Sequence, residues 1–172
     1  MRPKAFNYQI ENHLFADESK IAGNGLFTSK AIKKGEVAFI MKGPKIKYHP
    51  TNKEDAMAIQ NCVGLNEDTY IYPISPYVFI NHNCNPNVIA DEKNDATYIA
   101  LRDISAGEEL TFDYSTSEYS DWEMPCACGA KECRKVIKSI DKLPADYFAK
   151  YFPFIPKYFQ MIFIKNYIKE HK

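Results

Sequence analysis

The sequence predicts a mainly β, β-rich α+β fold of small sheets with a helical tail at its C-terminal end. Between residues 19 and 114, short apolar runs rich in β-branched and aromatic residues recur, separated by glycine, proline and polar turns. Strands this short and this close favour small sheets over one parallel α/β sheet. Residues 139–172 then change character, holding nine of the chain's 24 aromatics, with Pro153 and Pro156 breaking the run. At 172 residues, one domain is the default, and the chain is long enough to bury a core without staples.

The elements follow in order. Ala22-Gly23-Asn24-Gly25 and Lys34-Gly35-Glu36 mark turns, and Val37–Met41 is an apolar run of strand length. Thr51–Gln60 is more polar, with Ala56, Met57 and Ile59 at helix-compatible spacing. The runs YIYPIS and YVFINHN have strand composition. So do ATYIALRDI and EELTFDY, joined by the Ser105-Ala106-Gly107 turn. The prolines leave a short helix near 144–152 and a longer one from about 157. Aromatics at a spacing of three to four residues predict a face buried against the body.

Composition narrows the classes of function. Apolar residues are 45% and charged residues 26%, with 22 Lys+Arg against 22 Asp+Glu. That balance excludes a disordered chain and argues against direct nucleic-acid binding, which needs a cationic excess. The first fifteen residues lack the apolar core of a signal peptide, and Lys157, Gln160 and Lys165 interrupt the longest apolar runs. No membrane association and an intracellular setting, cytoplasmic or nuclear, are therefore expected.

The five cysteines are an odd number, and three of them form Cys126-Ala-Cys128-Gly-Ala-Lys-Glu-Cys133. Bunched thiols in a reducing setting point to a metal rather than to disulfides. Three thiolates cannot close a tetrahedral zinc site, so a fourth ligand comes from elsewhere. Cys84, in the turn-rich INHNCNPN stretch, and His82 beside it are the candidates. Cys62 has apolar neighbours and reads as a small core residue.

Four segments, in order, resemble a SET-domain protein lysine methyltransferase with a post-SET zinc-binding segment. They are the Gly23-Asn24-Gly25 turn with its following Leu-Phe, FINHNCNPN (Phe79–Asn87), GEELTFDY (Gly107–Tyr114) and CACGAKEC (Cys126–Cys133), with Arg134 after the last cysteine. The resemblance divides the chain into a SET unit, residues 1–137, whose post-SET segment is about 126–137, and an aromatic helical extension, 138–172. It implies a knot-like crossing of the NHNCNPN and ELTFDY segments. It further implies S-adenosylmethionine as methyl donor, a lysine ε-amine of a histone or other basic protein as acceptor, and a structural Zn2+. Cys84 then joins Cys126, Cys128 and Cys133 as zinc ligands.

Methyl transfer from a sulfonium needs a neutral amine held in line. A free lysine has a pKa of about 10.4, so presenting it neutral at pH 7 costs roughly 4–5 kcal/mol. A water-poor channel and an adjacent sulfonium both disfavour the ammonium, so alignment and desolvation replace a strong base. By resemblance, Tyr114 orients the amine, and Phe112, two residues earlier along the strand, leaves room for di- or trimethylation where a tyrosine would restrict the pocket. Gly23 and Gly25 let the backbone approach the donor, Asn24 reaches its methionine moiety, and Asn81 and His82 contact it.

The sequence departs from the family pattern in three places. Met41 stands near a frequent tyrosine, so Tyr70 or Tyr72 is expected to supply the missing channel aromatic. Val78 replaces a common arginine, and Lys135 a common glycine. A catalytically silent SET-like module that binds a peptide is the alternative function. The extension is expected to dock on the body, with dimerisation or substrate contact as its sharper role. Residues 91–123 hold ten acidic residues against Lys93 and Arg102, a face suited to a basic peptide.

Overall fold

The computed structural model describes residues 11–48, 61–91, 93–94, 96–119 and 121–171. The helix-compatible stretch Thr51–Gln60 lies outside them. Among the described residues the fold is strand-rich, with four small sheets and two α-helices at the C-terminal end.

The first sheet carries the chemistry-bearing segments, in the order β1-β2-β10-β7. Strands β1 (Leu14–Glu18) and β2 (Asn24–Thr28) form an antiparallel hairpin running from Leu14↔Thr28 to Glu18↔Asn24. Its turn closes with the Ser19 amide donating to the Gly23 carbonyl at 2.8 Å, and Gly23 has φ 50°, where a side chain would be strained. Strand β10 (Glu109–Phe112) pairs antiparallel with β2 and parallel with the two-residue β7 (Asn81–His82). It is the centre of the sheet, and Leu110, Thr111 and Phe112 are all buried. Three segments distant in sequence thereby become neighbouring strands.

Strands β3 (Val37–Ile40), β9 (Thr97–Ala100) and β8 (Val88–Ala90) make the second sheet, in the order β3-β9-β8. The third, β4-β6-β5, comprises β4 (Lys45–Lys47), β6 (Thr69–Ile71) and β5 (Val63–Gly64). Strands β11 (Glu123–Pro125) and β12 (Val136–Lys138) pair on either side of the cysteine loop. One core joins the first three sheets: Leu26, Ile32, Phe39, Tyr77, Tyr98, Ile104, Leu110 and Phe112 are at most 3% exposed. Burying each of these large side chains contributes roughly 1.5–3 kcal/mol. Met41 lies in this core as well, at 2% exposure.

One local expectation is corrected. The YVFINHN run is not one strand: Tyr77–Phe79 forms a 3-10 turn, the Phe79 amide donating to the Pro76 carbonyl, before β7 begins. Pro73 and Pro76 cannot donate to a ladder, so the chain turns here. Strands β9 and β10 follow one another through the Gly107 turn, as expected, and belong to different sheets.

The extension folds as expected into α1 (Ala145–Tyr151) and α2 (Lys157–Glu170). Phe148, Tyr151, Ile155, Phe159 and Phe163 pack with Ile89, Ile140 and Leu143 in a second core. Phe148 and Phe163 stack at 3.8 Å between ring centroids. The aromatic periodicity is thus a docking face.

Candidate active site and thiol cluster

The NHNCNPN loop is fastened to β10 by its last asparagine. Asn87 accepts from the Thr111 amide at 2.8 Å and donates to the Glu109 carbonyl at 2.7 Å. The Asn83 amide donates to the Phe112 carbonyl at 3.1 Å. These bonds hold Asn81, His82 and Cys84 in a fixed register against Phe112 and Tyr114.

Tyr114 follows the end of β10. It opens a 3-10 turn, Tyr114–Ser117, capped by the Asp113 carboxylate accepting from the Ser115 amide at 3.1 Å. Strand alternation therefore does not place Tyr114 beside Phe112; the turn does, with ring centroids 4.9 Å apart. The Tyr114 hydroxyl donates to the Ile80 carbonyl at 2.7 Å. Burial pushes its phenol up to about 12, so at neutral pH it stays protonated and is no base. Its oxygen keeps acceptor capacity for an N–H group.

Aromatics of the second sheet pack behind Phe112. Phe112 meets Tyr98 edge-on at 5.5 Å, and Tyr98 stacks on Phe39 at 4.7 Å. Tyr70 is buried in β6, and burial raises its phenol, with smaller contributions from Glu118, Tyr158 and Cys62. Tyr72 is exposed. Tyr98, which reads in the sequence as one more strand residue, adjoins Phe112 on the side away from solvent as a second aromatic besides Tyr114.

Asn81 donates through Nδ2 to three oxygens: Ala22 O at 3.2 Å, Asn24 O at 3.1 Å and Glu109 Oε1 at 2.8 Å. At Gly23 an added Cβ would meet nothing within 4 Å, so the outer side of the turn is open to a ligand. Gly25 serves a different purpose: a Cβ there would lie 2.4 Å from Glu109 Oε1.

His82 is 5% exposed, and burial lowers its pKa to about 4, so it is neutral at pH 7. Its Nδ1 accepts from the Tyr114 amide at 3.2 Å, which assigns the ring proton to Nε2, 3.3 Å from Cys84 Sγ. The ring sits edge-on to Tyr114 at 5.3 Å.

The thiols converge on one point. Cys84 and Cys126 Sγ are 3.9 Å apart, and Cys126 and Cys133 Sγ 3.7 Å. A tetrahedron with Zn–S bonds of about 2.3 Å has edges of about 3.8 Å. The ligand atoms of His82, Cys84, Cys126 and Cys128 lie within 4.8 Å of one another. Burial raises the Cys84 and Cys126 thiols, while a backbone hydrogen bond with Lys135 pulls Cys133 down to about 7. Backbone amides approach the sulfurs: Arg134 N is 3.4 Å from Cys84 Sγ, and Cys84 N is 3.5 Å from Cys128 Sγ. Soft, clustered thiols suit zinc, and the cluster could hold one ion. Cys62 is apart from this group, half-buried, its thiol raised to about 11 by burial.

A model described as the SET domain matches residues 23–115, just over half of the chain. The chain belongs to the SET domain family. Among its relatives are histone-lysine N-methyltransferase trithorax of Drosophila virilis, 31% identical over 78% of this chain and 4% of that protein. Another is the H3 lysine-4 specific histone-lysine N-methyltransferase of Schizosaccharomyces pombe, 33% identical over 67% of this chain and 14% of that protein. The chain thus spans only a small part of these relatives. An autoinhibited ctPRC2 structure bound to S-adenosylmethionine matches 60% of this chain and 15% of that one, with TM-score 0.50 and 21% identity. That likeness is one of fold.

Sequence reasoning gave no individual role to four residues that the structure brings to these segments: Tyr98, Glu109, Asp113 and Arg134. Arg134 Nη2 contacts Asp113 Oδ1 at 2.6 Å in a nearly buried ion pair, and its guanidinium lies 5.0 Å from the Tyr147 ring. Tyr147 donates to Glu132 O at 2.7 Å and Tyr151 to Cys84 O at 3.3 Å. The extension therefore braces the cysteine segment.

Much of the acidic window is already engaged within the chain. Asp103 pairs with Lys33, Glu108 with Arg102, Asp121 with Lys142 and Glu123 with Lys138. Glu109 and Asp113 are bonded as described, so the attraction for a basic peptide is weaker than the formal charge implies.

Proposed function

We propose that this SET domain transfers methyl groups from S-adenosylmethionine to a lysine ε-amine of a protein, such as a histone or another basic protein. One observation carries the reading: a half-buried, protonated Tyr114, anchored on the Ile80 carbonyl and flanked by Phe112, stands at the end of a strand paired with Asn81, whose amide bonds to the carbonyls of Ala22 and Asn24 in the glycine turn. The named relatives support the same reaction. An intracellular setting, cytoplasmic or nuclear, accords with that substrate. Among the described residues, no helix is long and apolar enough to cross a membrane.

S-adenosylmethionine supplies an electrophilic methyl on a sulfonium. The open turn at Gly23, with Asn24, Gly25, Asn81 and the His82 backbone, is the surface that receives it. Tyr114 has spent its proton on Ile80, so its lone pairs accept an amine N–H and aim the nitrogen lone pair. The Phe39–Tyr98–Phe112 group keeps water from that nitrogen, which favours the neutral amine. Phe112 carries no hydroxyl to crowd a methylated nitrogen, so di- and trimethylation follow.

Cys84, Cys126, Cys128 and Cys133 are the set we assign to a structural zinc ion. His82 Nε2 then donates to the Cys84 thiolate instead of binding metal. Residues 1–137 form the catalytic unit, with 126–137 its post-SET segment, and residues 138–172 brace it. The outer side of α2, where Met161, Ile164 and Ile168 are exposed, is the surface for dimerisation or substrate contact.

The test is labelled methyl transfer onto histones and a whole-cell lysate, read by mass spectrometry. Wild type transfers label, and Tyr114→Phe falls by about 10²–10³-fold. Equal counts at background for both reject the enzyme and leave a silent SET-like binding module.

A further inference from the structure

Helix α1 touches both halves of the thiol cluster. Tyr147, Lys150 and Tyr151 are three and four residues apart, so they share one face of the helix. The Tyr151 hydroxyl donates to the Cys84 carbonyl at 3.3 Å, and Lys150 Nζ donates to Asn85 Oδ1 at 3.0 Å. The Tyr147 hydroxyl donates to the Glu132 carbonyl at 2.7 Å, and its ring lies 5.0 Å from the Arg134 guanidinium. Glu132 and Arg134 flank Cys133 in the cysteine segment, whereas Cys84 belongs to the distant NHNCNPN loop. Little more than one helical turn therefore joins the two segments that must meet for four thiolates to surround an ion.

Apolar packing, not metal, fixes the helix. Phe148 stacks on Phe163, and Tyr151 is buried in the core that includes Ile89, Ile140 and Leu143. Ile89 belongs to β8, so this anchor reaches the second sheet. A buried phenol needs an acceptor, and Tyr151 finds it in the Cys84 carbonyl. Both hydroxyls thus end on main-chain carbonyls at or beside a thiol, where a shift of the carbonyl also moves the sulfur. The groups behind metal ligands set affinity nearly as much as the ligands do. We propose that Tyr147 and Tyr151 are positioning residues of the zinc site, clamping the NHNCNPN loop to the cysteine segment before the ion arrives. The proposal rests on the assignment of Cys84, Cys126, Cys128 and Cys133 to zinc. A clamped site loses less freedom on binding than the same thiols on loose segments, so it holds the ion more tightly. The C-terminal extension thereby takes a share in metal retention.

Zinc competition against a chromophoric chelator, on the full chain, tests this, with each variant's denaturation midpoint measured alongside. Tyr147→Phe and Tyr151→Phe keep the rings and remove only the hydroxyls. Each is expected to weaken zinc binding about tenfold, the lower end for loss of a group behind a ligand. Ile32→Val is the comparison: it loosens the first core and lowers the midpoint, while zinc affinity is expected to stay within about twofold of wild type. Unchanged zinc affinity in either tyrosine variant, or equal weakening in Ile32→Val, overturns the proposal. Wild type that takes up no zinc overturns the zinc assignment itself. If Tyr151→Phe does not fold, the half-buried Tyr147→Phe site is judged by the same comparison.

Discussion

Arg134 and Asp113 meet at 2.6 Å with side chains only 10% and 1% exposed, joining the cysteine segment to the residue that precedes Tyr114. Asp113 also lies 3.5 Å from His82 Nδ1, so one ion pair connects the thiol cluster, the NHNCNPN loop and the turn that Tyr114 opens.

Removing the cation leaves a buried carboxylate without its counter-charge. Arg134→Met is therefore expected to cost about 3–5 kcal/mol, measured by urea denaturation. Asp113→Asn combined with Arg134→Met should recover part of that loss, because the uncompensated charge is then gone. A double variant no better than the single one would show that packing against Tyr147, and not charge, is what Arg134 supplies.

Phe112 tests the product state. Its ring lies between Tyr98 and Tyr114 and is 3% exposed, so a hydroxyl added there enters the pocket wall. Phe112→Tyr is expected to shift products from di- and trimethyl-lysine towards monomethyl-lysine, with monomethyl yield nearly retained. Mass spectra of a peptide substrate read the distribution directly. Wild type that makes only monomethyl product would remove the basis for this expectation.

The thiol cluster predicts one zinc per chain. Elemental analysis of purified protein should find it, and Cys84→Ser, Cys126→Ser, Cys128→Ser or Cys133→Ser should each lower the content. His82→Gln should keep the metal on the assignment proposed above, in which His82 Nε2 donates to Cys84. Protons compete with the metal for thiolates, so acidification should release it, and affinity should rise with pH until the cysteines are ionised. Metal lost equally in His82→Gln would move the histidine into the ligand set.

Lys135 occupies the left-handed region, with φ 66°, and its carbonyl accepts from the Cys126 amide at 2.8 Å. A non-glycine residue there is strained by roughly 1–2 kcal/mol, against about 0.5–1 kcal/mol of added chain entropy that glycine loses on folding. Lys135→Gly should thus stabilise the protein by about 0.5–1 kcal/mol, seen as a higher midpoint in denaturant. This is the physical content of the lysine that stands where the family often has glycine.

The sequence by itself determined the segments. The glycine turns, the strand runs at Val37 and Glu109, the prolines that bound α1 and α2 and the bunched cysteines are local signals, set by backbone freedom, residue shape and ligand chemistry. Their register was legible because each signal acts within a few residues of chain. What only the tertiary structure decided is which segments meet. Tyr98 adjoins Phe112, and Glu109 faces a turn some 85 residues earlier. Asp113 turns inward to Arg134, and Tyr114 reaches Phe112 through a 3-10 turn instead of strand alternation. No local pattern encodes these pairings, because a carboxylate in a polar run looks the same whether water or a buried guanidinium neutralises it. The partner is set by sheet order, and β10 lies between β2 and β7 only once the core of Leu26, Leu110 and Phe112 has closed.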